Sequence, residues 1–203
     1  MTDAVTRSVI LAALEAAADE MFVTLRRTAM SPIVYEVLDA GTGIADAKGR
    51  LVGSGAGIPT FVGVLDKAVR RLLDLHGDGI RDGDLFVTND PAHGGVTHLS
   101  DVVVALPVFH EGRLLAWAAS IAHWSDVGGM TPGSMPADAR EIWQEGLRLP
   151  AIRLFEGGRL VAPVVEIVAA NSRQPDMARG DLWAQVAVAR RAGTRLQGLA
   201  ARY

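Results

Sequence analysis

Residues 89–101 read Asn-Asp-Pro-Ala-His-Gly-Gly-Val-Thr-His-Leu-Ser-Asp and place two histidines and two aspartates within thirteen positions, around a Gly-Gly pair that lets the backbone fold back on itself. A third histidine, His123, closes the next apolar stretch and is followed by Asp126 and a second Gly-Gly pair. Asp101 opens an apolar run over residues 102–109 that reads as a buried strand. A second run over residues 114–122 can return antiparallel to it across the turn Glu111-Gly112-Arg113. Such a pairing sets His123, at the end of the return strand, beside His98 and Asp101 at the start of the outgoing one. Two imidazoles and a carboxylate at a strand end make a three-point site for a divalent metal with coordination positions left open. The bland alternative is a hydrogen-bonded His–Asp pair. Because residues three apart on a straight strand face opposite ways, the metal reading requires a turn at His98.

The neighbouring polar residues carry weaker signals. Asp90, between Asn89 and Pro91, reads first as an Asx turn capping a strand. His93, before Gly94-Gly95, is a candidate acid/base, a donor supporting the site, or simply exposed. Asp126 can either orient His123 or cap the glycine loop. His76 and His110 sit at turns and read as structural or surface residues. The string Gly53-Ser54-Gly55-Ala56-Gly57 invites a phosphate-loop reading, but the lysine and Ser/Thr of that motif are missing and no helix follows directly. It is expected to be a flexible loop, and no Gly-x-Gly-x-x-Gly nucleotide fingerprint is found.

The elements that must position these residues follow from periodicity. Ile10, Leu14, Ala17, Met21 and Leu25 recur at helical spacing, so residues 5–27 read as a long amphipathic helix with Asp3 as cap and Ser31-Pro32 as its break. A hairpin is expected over 43–52 around Asp46-Ala47-Lys48-Gly49, then a small-residue loop over 53–59 and a helix over 60–75. A short buried strand over 85–88 feeds the histidine loop. After the two strands, residues 128–138 are loop-like, and helical spacing returns over 137–145, 164–171 and 181–202. The last of these reaches the final residue without a C-cap, which suggests packing against something larger. The fold class is therefore α+β, with a largely antiparallel sheet and long flanking amphipathic helices.

Composition narrows the function classes. The 203 residues are 49% hydrophobic and 21% charged, with net charge −3, values of an ordinary globular chain able to bury a substantial core. Neither nucleic acid nor an anionic membrane is favoured by that charge, and the 20 basic residues form no stripe. Cysteine is absent, which removes disulfides, thiolate nucleophiles and iron–sulfur clusters. The apolar run over 9–14 is too short for a secretory core or a membrane span, so a cytoplasmic location is expected.

Several strings together resemble one known family. Asn89-Asp90-Pro91, His93-Gly94-Gly95, Thr97-His98-Leu99-Ser100-Asp101, and His123 with Asp126-Val127-Gly128-Gly129-Met130-Thr131-Pro132-Gly133-Ser134-Met135-Pro136 resemble the hydantoinase B family. Glu141-Ile142-Trp143-Gln144-Glu145-Gly146-Leu147-Arg148-Leu149-Pro150, Asn171-Ser172-Arg173 and Arg179-Gly180-Asp181-Leu182 extend the match. The family includes B subunits of ATP-dependent hydantoinases, the C-terminal part of 5-oxoprolinases, caprolactamase B subunits and the matching subunit of acetone and acetophenone carboxylases. The resemblance implies a divalent metal, manganese or zinc, with ligands falling on His98, Asp101 and His123 and an acidic residue near Glu36 as a further candidate. It also implies that ATP is handled by a partner, the hydantoinase A-type subunit, which phosphorylates the substrate's carbonyl oxygen. Two departures stand out: Ser100 replaces the family's usual proline, and the family's subunits are much longer. Residues 1–203 then correspond to the N-terminal part of the full-length subunit, and a further chain supplies the missing C-terminal half.

The expected function is that of a metal-binding B-type subunit of an ATP-dependent enzyme hydrolysing a small cyclic amide, a hydantoin, oxoproline or lactam. His93 and Asp126 are the candidate catalytic residues for proton transfer. A carboxylase subunit and a non-catalytic assembly subunit are the rival readings. Because the phosphate-loop lysine is missing, the homogeneous chain should release no phosphate from ATP. Turnover that survives removal of every partner subunit would overturn this division of labour.

Overall fold

In the computed structural model, which describes residues 3–203, helix α1 spans Ala4–Thr28 and begins where the Asp3 carboxylate accepts hydrogen bonds from the backbone N–H of Val5 and Thr6. This is the N-cap that the first orphan amides of a helix require. The chain leaves the helix before Ser31-Pro32, turns through the four-residue helix α2, Pro32–Tyr35, and enters strand β1, Ala40–Asp46. At the turn into β2, Leu51–Gly57, the Asp46 carboxylate accepts from the N–H groups of Lys48 and Arg50. Helix α3, Pro59–His76, has proline in its first turn, where the missing N–H costs nothing. Strands β3, Leu85–Thr88, β4, Asp101–His110, and β5, Arg113–His123, follow. The turn between β4 and β5 has Glu111 and Gly112 both at positive φ, 49° and 75°, the conformation that matches strand twist in a two-residue hairpin loop. A small hairpin of β6, Ile152–Glu156, and β7, Arg159–Leu160, precedes helices α4, Ala162–Asn171, and α5, Pro175–Ala200.

The seven strands form one sheet in the order β2-β1-β5-β4-β3-β6-β7, with every neighbouring pair antiparallel. Side chains alternate between faces. Val102, Val104 and Ala118 join a core with α1, α4 and α5, while Val103, Ala105, Trp117, Ala119 and Ile121 pack with α3 on the other face. The central strands are therefore covered on both faces, which is why they read as continuous apolar runs. No helix among the described residues is long and apolar enough to cross a membrane.

Two local expectations need correction, and one element was not foreseen. Residues 53–57 are not a flexible loop but the second half of β2. Their small side chains let α1 lie directly on the strand: a Cβ at Gly53 would sit 3.2 Å from the Leu14 carbonyl carbon. The expected helix over 137–145 shrinks to a single 3₁₀ turn, Ile142–Gln144, where the Gln144 side chain accepts from the N–H groups of Arg140 and Glu141 in place of a helical backbone carbonyl. The β6–β7 hairpin was invisible to periodicity because its strands are too short to alternate clearly.

The apolar stripe of α1 is unevenly used. Its buried residues begin at Ala17, whereas Val5, Val9 and Leu11 are exposed, and Leu11 lines a largely apolar groove of about 480 Å³ formed with the C-terminal end of α5 and the far end of the sheet. The tight α1–β2 contact makes a clear test. A Cβ at Gly55 would fall inside van der Waals distance of the Ala18 carbonyl oxygen and 2.5 Å from Thr42 Oγ1. Gly55→Ala should cost about 1–3 kcal/mol of stability in urea denaturation, and an unchanged midpoint would show that α1 is not seated on the strand as described.

Candidate metal centre

The β4–β5 ladder ends on the pair Asp101↔His123, directly opposite each other in the register. Residues so paired project to the same side of the sheet, which converts a separation of 22 positions into side-chain contact. His98 joins them by a turn: the N–H of Asp101 donates to the His98 carbonyl at 3.1 Å, folding the imidazole back over the strand start. His98 Nε2 and His123 Nδ1 then lie 3.2 and 3.1 Å from the same oxygen, Asp101 Oδ1. The donor atoms of the three residues all fall within 4.8 Å of one another. Thr97 Oγ1 hydrogen-bonds the second carboxylate oxygen.

Burial gives the cluster its electrostatic character. The side chains of Asp101 and His123 are 1% and 4% exposed and that of His98 is 24% exposed, so solvent reaches the group past His98. Burial alone would raise the Asp101 carboxyl, but hydrogen bonds from His123, His98 and Thr97 outweigh it and hold the pKa at about 2. The hydrogen bond to Asp101 lifts His98 above the ordinary imidazole range, against the effect of its burial. The buried aspartates Asp84, Asp90 and Asp126 are each ion-paired with an arginine, Arg153, Arg148 and Arg173. Asp101 pairs only with the two imidazoles. Nε2 of His123 is buried and has no hydrogen-bond partner among the described residues. An ionised carboxylate without a fixed cation, two imidazoles and an orphaned ring nitrogen form a donor set suited to a borderline divalent ion.

Among the acidic candidates, Glu36 lies at the C-cap of α2, is exposed, and stands outside this group. Asp39, missed by sequence reasoning, comes closest instead. It immediately precedes β1, which pairs with β5, so its carbonyl accepts from the N–H of His123 and its Oδ2 lies 3.7 Å from His123 Nδ1. Burial and the negative charge of Asp101 raise its pKa, while His123 and His98 oppose the rise. Only the β1–β5 pairing brings Asp39 here, and no local pattern announced that pairing.

Two further carboxylates shape the loops. Asp90 makes the Asx turn, accepting from the N–H groups of Ala92 and His93, and also receives Nε and Nη2 of Arg148. His93 is exposed and lines a cleft of about 560 Å³ with Asp90, Arg148, Trp143 and the Gly128-Gly129 backbone. Asp126 caps the glycine loop: one oxygen accepts from the N–H groups of Gly128 and Arg173, the other from Gly133 N–H and the Arg173 guanidinium. Asn89 is a second residue that sequence reasoning passed over. Its buried amide donates to the carbonyls of Leu99 and Leu147 and accepts from Leu149 N–H, fastening the His98 loop to the segment after the 3₁₀ turn.

The sequence matches the Hydantoinase B/oxoprolinase family over residues 3–203. It is 34% identical over 183 residues to the caprolactamase subunit beta of Pseudomonas jessenii, covering 90% of this chain and 31% of that one. It is 37% identical over 159 residues to the acetophenone carboxylase delta subunit of Aromatoleum aromaticum, covering 78% of this chain and 23% of the relative. The crystal structure of ATP-dependent caprolactamase from Pseudomonas jessenii superposes with a TM-score of 0.93 at 32% identity, over 100% of this chain and 35% of that chain. The chain thus spans about a third or less of the length of these relatives.

The Asp126 cap should leave a pH signature. Burial raises this carboxyl, but donation from Arg173, Gly128 and Gly133 outweighs it and leaves the pKa below the model-compound value of 3.8. A lowered folded pKa means that the contribution to stability is complete above the unfolded value and is lost as pH falls through the folded one. In urea denaturation between about pH 5 and pH 3, the loss of stability should be shallower in Asp126→Asn than in the parent. Parallel slopes would show that this carboxylate is not held by the loop.

Proposed function

Because the chain belongs to the Hydantoinase B/oxoprolinase family, we propose that it is the metal-bearing part of a B-type subunit in an ATP-dependent enzyme that opens a small cyclic amide. The observation that carries this reading is the meeting of His98, Asp101 and His123 at one buried strand end, with Asp101 lacking an arginine and His123 Nε2 lacking a partner. These three residues would hold manganese or zinc, and Asp39 stands nearest as a further acidic donor. When bound, such an ion supplies Lewis acidity, stabilising negative charge that develops on a substrate oxygen.

The chain's own residues complete the proposal. Asp101 stays ionised across the physiological range and so offers a constant negative charge. Packing around Asp101 and His123 keeps bulk water away and strengthens electrostatic interactions there. His93, exposed at the cleft rim, is the proposed proton carrier. Asp126 is assigned to holding the loop rather than to proton transfer, since both its oxygens are already engaged. In this scheme a partner of the hydantoinase A type transfers the γ-phosphoryl group of ATP to the amide oxygen. Water then adds to the activated carbon, the ring C–N bond breaks with the amine as leaving group to give an acyl phosphate, and a second water releases phosphate and leaves the carboxylate.

The rest of the family's length would complete the subunit, and the apolar groove lined by Leu11 is a surface suited to it. The similarity to the acetophenone carboxylase delta subunit supports a second reading, in which the same donors serve carbon–carbon bond formation. Metal analysis after exhaustive dialysis tests the common core of both. The chain should retain about one divalent ion, and His98→Ala and His123→Ala should each lose it while still unfolding cooperatively. Full retention of metal in either variant would mean the site is misassigned.

A further inference from the structure

Helix α5 packs an apolar face, with Leu182, Val186 and Ala189, against the sheet, yet Gln185 stands in the middle of that face and is 0% exposed. A buried amide is costly unless its donors and acceptor are satisfied. Here they are satisfied by the immediate chain neighbours of two metal-site residues. Nε2 donates to the carbonyl of Val102, the residue after Asp101, at 2.9 Å, and reaches the carbonyl and hydroxyl oxygens of Ser120 on β5 at 3.5 and 3.4 Å. Oε1 accepts from the indole N–H of Trp124, the residue after His123, at 2.9 Å.

The location matters because the strand ladder stops at Asp101↔His123. Past that pair only one backbone bond, Trp124 N–H to the Ser100 carbonyl at 2.7 Å, continues the connection. The strand pairing alone therefore fixes the two ligands from one side only. Gln185 closes the other side, since one rigid carboxamide bridges the backbone after Asp101 and the side chain after His123. Donor atoms need to be held within about 0.5 Å to bind a metal well, and hydrogen bonds outside the ligands commonly supply that restraint.

We propose that Gln185 is a positioning residue for the metal centre, setting the separation and orientation of Asp101 and His123 from helix α5. The inference rests on the metal-site reading above and extends it to a residue far away in sequence. Gln185→Met keeps the length and burial of the side chain but removes its carboxamide hydrogen bonds, and Trp124→Phe removes the indole donor from the opposite end. Leu72→Ala, in the core on the other face of the sheet, serves as a control for general destabilisation.

The measurement is Co(II) titration of each purified chain, following the visible absorption spectrum and the dissociation constant, with cooperative unfolding as a check of folding. Gln185→Met should bind Co(II) roughly ten- to hundredfold more weakly with altered absorption bands. Trp124→Phe should change the bands in the same direction, and Leu72→Ala should match the parent in both readouts. If Gln185→Met does not fold, Trp124→Phe decides alone. Parent-like spectra and affinity in the folded variants would overturn the positioning role while leaving the metal site standing. A parent chain that takes up no Co(II) would overturn the metal-site reading and this inference together.

Discussion

The antiparallel pairing of β4 with β5 is the constraint from which the rest of the molecule follows. Both strands are covered by helices on both faces, so each residue's face is dictated by what it must pack against. A slip of one position would turn every side chain to the wrong core. The register is therefore held firmly, and its last pair, Asp101↔His123, acts as a ruler for the chemistry placed there. The pairing shifts by one residue at an irregularity between Val108 and Phe109, so the register at the far end is set by the packing of the strands and not by the turn at Glu111-Gly112 alone.

Around this rigid centre, much of the chain from residue 124 to 151 has no regular secondary structure, and its shape is maintained by buried polar groups. Asp90 with Arg148 and Asp126 with Arg173 each join segments far apart in sequence. Asn89 does the same with three backbone bonds. Buried charges persist in proteins when they are paired and hydrogen-bonded, and these pairs turn glycine- and proline-rich stretches into fixed walls. Asp181, equally buried, has no arginine among the described residues and accepts instead from the backbone N–H groups of Met30 and Ser31. Asp101 differs from all of these in that its ion-pair partners are imidazoles, whose charge is conditional.

The two ends of the sheet are accordingly different in character. One gathers histidines, aspartates and glycine loops. The other opens an apolar groove between the N-terminal turns of α1 and the C-terminal turns of α5. The histidine cluster and the apolar groove thus lie at opposite ends of the β4–β5 pair.

Much of this was legible in the residues themselves. The spacing of apolar positions located α1, α3, α5 and the β4–β5 hairpin. The glycine-flanked histidines pointed to one strand end, because a two-residue turn between apolar runs leaves few ways to pair them. Local rules failed where the deciding contact was distant. Residues 53–57 look like a loop until α1 is laid on them, and residues 137–145 keep helical spacing but are held as a single 3₁₀ turn by the Gln144 side chain. Glu36 was the acidic residue picked out by motif, yet the β1–β5 pairing delivers Asp39 to His123 instead. Gln185 in an apolar helix face carried no signal at all, since its partners lie about 60 to 80 positions away in sequence. The sequence by itself determined most of the long elements and which residues offer metal-type donors, because periodicity and side-chain chemistry are local. Tertiary structure alone decided which carboxylates keep an arginine and which amide spans the site, because those depend on pairings across the sheet that no short stretch encodes.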